Sequence, residues 1–181
     1  MSALDHLGEM ITESFRKRAA GNYLVLTEPD QEDYRVQVAG PHFALSLDKK
    51  PGKGGMDAAL PFLKTEHAGL TCKCDLIVFA PHSAGQTVVF LLELKSLNVT
   101  GYLEQMRSSR AFANYLAEIG RVHGHDLGKL ICKGVLIRSR RIPAKGGTRK
   151  RRVSFEKRSD LEVCEWDRAY PLGLHQLLQA A

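Results

Sequence analysis

The sequence predicts an α/β fold: one domain with a central mixed β-sheet flanked by helices. Three observations lead there. The length of 181 residues lies within the roughly 50 to 250 residues of ordinary single domains. The composition, 44% hydrophobic and 25% charged, is that of a chain able to bury a core, and it excludes wholesale disorder. Short β-rich runs alternate with stretches of helical spacing, with no internal repeat and no second hydrophobic unit.

In chain order, Leu4, Leu7, Ile11 and Phe15 recur at helical spacing, with Glu9, Glu13, Arg16 and Lys17 elsewhere on the wheel; this predicts one amphipathic first helix. Residues 22–27, 34–38 and 42–47 read as short strands, and the Gly- and Lys-rich 48–55 as a loop. That loop lacks G-x-x-x-x-G-K-[ST], so it is no phosphate-binding P-loop. Residues 74–80 and 87–95 are β-rich and joined by a short glycine-containing turn, which predicts a hairpin. A helix follows from about Tyr102 to Ile119, ended by Gly120 and Gly124, then a buried strand over 130–138. A short strand around Val153–Phe155 and a last helix from about Leu172 complete the chain, with Trp166 and Tyr170 packing near that helix. The domain divides into a core of about 1–138, a basic loop 139–152 and a C-terminal strand and helix 153–181.

No apolar run approaches the roughly 18 residues of a membrane helix. The first residues carry acids where a secretion signal carries bases and an apolar block. A cytoplasmic protein without membrane contact is expected, with Cys72, Cys74, Cys132 and Cys164 as reduced structural thiols. Cys72 and Cys74 form C-x-C with no second pair to complete a zinc site, and the spacing of His123 and His125 does not supply one.

Charge is unevenly placed. Residues 133–158 hold Lys133, Arg138, Arg140, Arg141, Lys145, Arg149, Lys150, Arg151, Arg152, Lys157 and Arg158 against the one acid Glu156, a net of +10. The remainder of this +6 chain therefore carries −4. A concentrated basic segment beside a mildly acidic body points to a polyanionic partner, a nucleic acid.

The hairpin carries the chemistry. Alternation along its second strand turns Val89, Leu91, Glu93 and Lys95 to one face. Antiparallel pairing brings Asp75, at the start of the first strand, to the end of the second. Two carboxylates that converge repel unless a cation lies between them. Hard oxygen ligands suit Mg²⁺ or Mn²⁺, and such an ion assists attack on a phosphodiester. A plain Glu93–Lys95 salt bridge is the competing reading.

Asp75 followed by Glu93-Leu94-Lys95 resembles the PD-(D/E)xK, or restriction-endonuclease-like, nuclease superfamily, and the coarse element order is similar to its αβββαβ core. The resemblance implies Asp75, Glu93 and the backbone carbonyl of Leu94 as metal ligands and Lys95 at the attacking water. It implies Glu9 or Glu13 as a further ligand from the first helix, and Gln105 as a contact to the substrate strand. Ser109 stands where RecB-type members carry a tyrosine. Arg138, Arg140, Arg141, Lys145, Arg149, Lys150, Arg151 and Arg152 would meet the nucleic-acid backbone. The implied function is Mg²⁺- or Mn²⁺-dependent hydrolysis, in DNA, by a homodimer or a subunit of a larger complex, in phage defence or DNA repair. A non-catalytic nucleic-acid-binding or assembly subunit on the same fold is the alternative.

Overall fold

The computed structural model describes residues 1–27, 32–47, 60, 63, 67, 69–83, 85–96, 99–138 and 152–181. Its helices are α1 (Ala3–Met10), α2 (Tyr102–Val122) and α3 (Leu174–Ala180). Its strands are β1 (Tyr23–Leu26), β2 (Tyr34–Gln37), β3 (Phe43–Leu45), β4 (Leu76–Pro81), β5 (Gln86–Lys95), β6 (Lys129–Arg138), β7 (Glu156–Arg158), β8 (Leu161–Asp167) and β9 (Leu172–Gly173).

The architecture is mixed α/β with two mixed sheets. Six strands form the larger, in the order β3-β4-β5-β6-β8-β7. Its first three run antiparallel, whereas β5, β6 and β8 are parallel neighbours. The second sheet, β1-β2-β9, lies outside the single central sheet that the sequence predicts. Side chains of period two make β5 an apolar wall on both sides. Val88, Phe90, Leu92 and Leu94 pack with Leu24, Val36, Leu172 and Leu177, toward the small sheet and α3. Val89 and Leu91 pack with Leu7, Met106, Ala113 and Leu116, toward α1 and α2. Only one side of the large sheet therefore carries α1 and α2; the other carries the small sheet together with α3.

Helix α2 returns the chain from the end of β5 to the start of β6, the crossover a parallel pair requires. It settles closely because Gly134 of β6 has no side chain: a Cβ there would meet Met106 Sδ at 2.6 Å and Val163 Cγ2 at 3.0 Å. Arg110 and Arg107 of α2 both bind Asp160 in the β7–β8 turn and hold its carboxyl down at about 2.

Three elements differ from expectation. The first helix stops at Met10, Ile11 is extended, and Glu13–Phe15 form a single 3₁₀ turn. The chain there pairs with the free side of β3, Lys17 N–H donating to Ala44 O at 2.8 Å and Ser46 N–H to Phe15 O at 3.0 Å. Sheet hydrogen bonds thus displace the helical ones that the spacing of Phe15 suggests. Second, α2 runs through Gly120 to Val122, and Gly124, at φ 81°, is the residue that turns the chain. Third, the strand expected near Val153–Phe155 lies at Glu156–Arg158, and β8 follows it as a full strand of the main sheet. Trp166 belongs to β8 and is buried, its Nε1 donating to Tyr170 O at 3.1 Å. The loop expected over 48–55 lies outside the described residues. All four cysteines are free thiols. Among the described residues, no helix is long and apolar enough to cross a membrane.

Candidate functional site

The ladder between β4 and β5 pairs Leu76 with Leu92; continued by one residue, it sets Asp75 opposite Glu93. Both then project from the helix-bearing face, since Ile77 and Leu91, their neighbours two residues away, pack there. Asp75 Oδ2 accepts a 2.7 Å hydrogen bond from the N–H of Leu94. Lys95 Nζ lies 2.7 Å from Glu93 Oε1. The hairpin brings the three residues together.

Burial distinguishes this trio from a surface ion pair. The Glu93 side chain is 1% exposed and that of Lys95 19%. Glu93 Oε2 is buried and has no hydrogen-bond partner among the described residues. Burial first, and the adjacent Asp75 second, push the Glu93 carboxyl up to about 7, against the pull of Lys95. A half-satisfied buried carboxylate is costly unless something electropositive completes it. The donors that the resemblance names are all hard oxygens: the carboxylates of Asp75 and Glu93 and the carbonyl of Leu94. They fit Mg²⁺ or Mn²⁺ with water filling the remaining positions.

The segment leading into Asp75 is clamped by α2. Gln105 Nε2 donates to Lys73 O at 3.2 Å, and Cys74 N–H donates to Ser109 Oγ at 2.9 Å. Ser108 Oγ lies 3.3 Å from Cys72 Sγ. Residues 105 and 109 are one helical turn apart and share a face, so together they grip consecutive residues. Gln105 therefore supports the Asp75 segment through its amide nitrogen. Sequence reasoning misses Ser109 as its companion; the i, i+4 spacing of two polar residues on an otherwise apolar helix face is the signal.

Glu9 does not join the trio. Glu9 Oε2 lies 3.3 Å from His125 Nδ1. His125 stands shortly before Lys129, which pairs with Gln86 at the far end of β5, about 23 Å from Glu93 at ~3.3 Å per residue. Glu13 is paired with Arg18 at 2.6 Å and Arg16 at 3.9 Å. Because α1 ends at Met10, Glu13 stands on the 3₁₀ turn and not on the first helix.

A cavity of about 170 Å³ opens at Asp75, lined also by Phe15, Arg16, Lys17, Leu26, Thr27 and Ser46. Arg16 and Lys17 are not among the expected site residues; the extended segment beside β3 carries them there. On the other side, Arg138 is the register neighbour of Lys95, but its guanidinium is held by Glu165 at 2.7 Å. Lys133 pairs with Glu162, and Arg158 with Glu156 and Glu165. Three of the eleven bases of the basic segment are thus tied into the sheet by acids. Arg152 is exposed, while Arg140, Arg141, Lys145, Arg149, Lys150 and Arg151 lie outside the described residues. Comparison of this chain with family models, with curated proteins and with solved structures found no match.

Proposed function

We propose that this chain is a divalent-metal-dependent nuclease that hydrolyses phosphodiester bonds in DNA. The observation that carries the reading is the buried Glu93 carboxylate, with one oxygen orphaned, beside Asp75 and Lys95 at the end of one hairpin. With β1 and β2 of the small sheet set aside, α1 and the first elements of the main sheet follow the order α1-β3-β4-β5-α2-β6, and this αβββαβ order supports a restriction-endonuclease-like core.

Asp75, Glu93 and the Leu94 carbonyl would hold Mg²⁺ or Mn²⁺, which supplies charge neutralisation at the phosphate and a more acidic bound water. Lys95, the more exposed member of its ion pair with Glu93, orients the attacking water and offsets charge developing on the phosphate. Arg16 and Lys17, lining the cavity at Asp75, hold the backbone of the strand to be cut. The basic residues of 139–152 add phosphate contacts that position the duplex without reading its sequence. A cytoplasmic enzyme, working as a homodimer or as the cutting subunit of a complex in phage defence or repair, fits this chemistry.

The test is cleavage of plasmid, single-stranded DNA and RNA with Mg²⁺, Mn²⁺ or EDTA, by the natural chain and by Lys95→Ala. The nuclease reading requires metal-dependent cleavage that the substitution removes while binding persists. A non-catalytic subunit would share the 2.7 Å Glu93–Lys95 ion pair; binding without cleavage under every metal would establish that alternative.

A further inference from the structure

A second group of metal-ligating side chains stands at the opposite end of β5. His6 and Glu9 are three residues apart on α1 and so share one helix face, and His125 follows α2. His6 Nδ1 and His125 Nδ1 are 3.2 Å apart, and Glu9 Oε2 is 3.3 Å from His125 Nδ1. All three ligand atoms lie within 4.8 Å of one another. The two rings meet edge-on, with centroids 5.3 Å apart. His125 Nδ1 thus faces two heteroatoms at once, and one proton on it serves only one of them.

The separations match a particular geometry. Two ligands bound to a tetrahedral ion at about 2.0–2.1 Å stand about 3.3–3.4 Å from each other. Both short distances in the cluster lie at that edge length. The approach of the two helices is built into the fold at Gly120. A Cβ there would lie 2.7 Å from the His125 carbonyl oxygen and 3.0 Å from Met10 Cε and Sδ. Without one, His125 N–H donates to Gly120 O at 2.8 Å and the turn lies against the end of α1.

We propose that His6, Glu9 and His125 form a Zn²⁺ site, with solvent as the fourth ligand. Two imidazoles and one carboxylate suit zinc and disfavour Mg²⁺. The side chains of His125 and Glu9, 29% and 50% exposed, leave the ion an entry path and room for water. Bound there, zinc fastens α1 to the end of α2 and stabilises the folded chain, because the unfolded chain has no such site. The inference uses none of the hairpin residues and does not rest on the nuclease reading.

The experiment is a calorimetric titration of the metal-free chain with Zn²⁺, alongside His125→Ala and His6→Gln. Each variant is expected to bind one equivalent fewer than the natural chain and to lose the rise in Tm that zinc gives it. Co²⁺ loaded into the natural chain should show the visible absorption of a four-coordinate site, absent from both variants. The cysteines and the Asp75–Glu93 pair remain in all three proteins, so zinc bound there cancels in the comparison. Circular dichroism without metal checks folding; should either variant fail, Glu9→Gln, at a half-exposed position, gives the same readout. Equal stoichiometry and equal Tm gain in natural chain and variants, or no binding by the natural chain, overturns the proposal.

Discussion

The carboxylate of Asp75 accepts the N–H of Leu94, the residue between Glu93 and Lys95, so one peptide unit ties the acid of one strand to both functional groups of the next. Removing Asp75 should therefore strip the Leu94 amide of its acceptor as well as take a carboxylate from the site. Asp75→Ala leaves a partly buried amide unpaired, at a cost of about 1–3 kcal/mol, and should lower stability in urea as well as abolish cleavage. Lys95→Ala removes the 2.7 Å partner of the buried Glu93 carboxylate and should also lower the denaturation midpoint above about pH 7, where Glu93 is ionised, while cleavage falls at least about 100-fold.

Glu93 makes the metal-free chain lose stability between mildly acidic and neutral pH. Its carboxyl is raised from an ordinary value of 4.5 to about 7 by burial and by Asp75. Below pH 4.5 it is protonated in both the folded and the unfolded chain. As pH rises from there toward about 7, the unfolded chain releases a proton that the folded chain retains, so stability is lost through that window, by up to a few kcal/mol. Urea midpoints measured with EDTA between pH 4.5 and 8 should fall, and Glu93→Gln should flatten the slope. Added Mg²⁺ should restore the alkaline side in the natural chain alone.

Ser109 should behave as a positioning residue. Ser109→Ala leaves the N–H of Cys74 buried without its acceptor, a loss of about 1–3 kcal/mol. Reduced cleavage with unchanged DNA affinity is the expected pattern, because the residue holds the Asp75 segment and not the substrate. Rescue by Ser109→Thr, which keeps the hydroxyl, would separate this from a simple packing defect.

Gly134 tests the closeness of α2 and β6. Gly134→Val should cost about 1–3 kcal/mol of overpacking, since even a Cβ would meet Val163 and Met106 at 3.0 Å or less. Cleavage should fall with it, because the displaced helix carries Gln105 and Ser109. Thermal denaturation and cleavage rate should decline together; an unshifted Tm would show that β6 and α2 part freely.

Substitution of Arg149, Lys150, Arg151 and Arg152 by serine should weaken DNA binding at low salt and flatten its salt dependence. Every phosphate that the variant no longer neutralises should lower the slope of log K against log salt by about 0.9. Affinity and slope measured by fluorescence anisotropy check this directly.

The hairpin is legible in the sequence because an apolar strand with period-two alternation fixes which face each side chain takes, and antiparallel pairing fixes the neighbour of its last acid. Glu93, Lys95 and Asp75 follow from those two regularities alone. Strand β8 is not legible because acids interrupt it on both faces. Glu162 answers Lys133 on one side and Glu165 answers Arg138 on the other, so ion pairs between neighbouring strands replace the hydrophobic alternation by which a strand is recognised. The same ion pairs, of Lys133, Arg138 and Arg158 with acids, do not show in a count of charges along the sequence. The length of the first helix escapes the sequence because its end is set by β3, a partner that helical spacing does not reveal. His6, Glu9 and His125 stay unjoined in the sequence since nothing local links α1 to the turn after α2.

The small sheet has a consequence for how the chain acquires its shape. Strand β2 takes β9 as its parallel partner, with Val36 beside Leu172 and Gln37 beside Gly173. The β1–β2 hairpin is synthesised early, yet its third strand arrives only after nearly all of the larger sheet has been made. Until then Leu24, Leu26 and Val36 lack part of their cover, and pairing so distant in sequence is slow to form. The small sheet thus cannot be completed until the last tenth of the chain has been made.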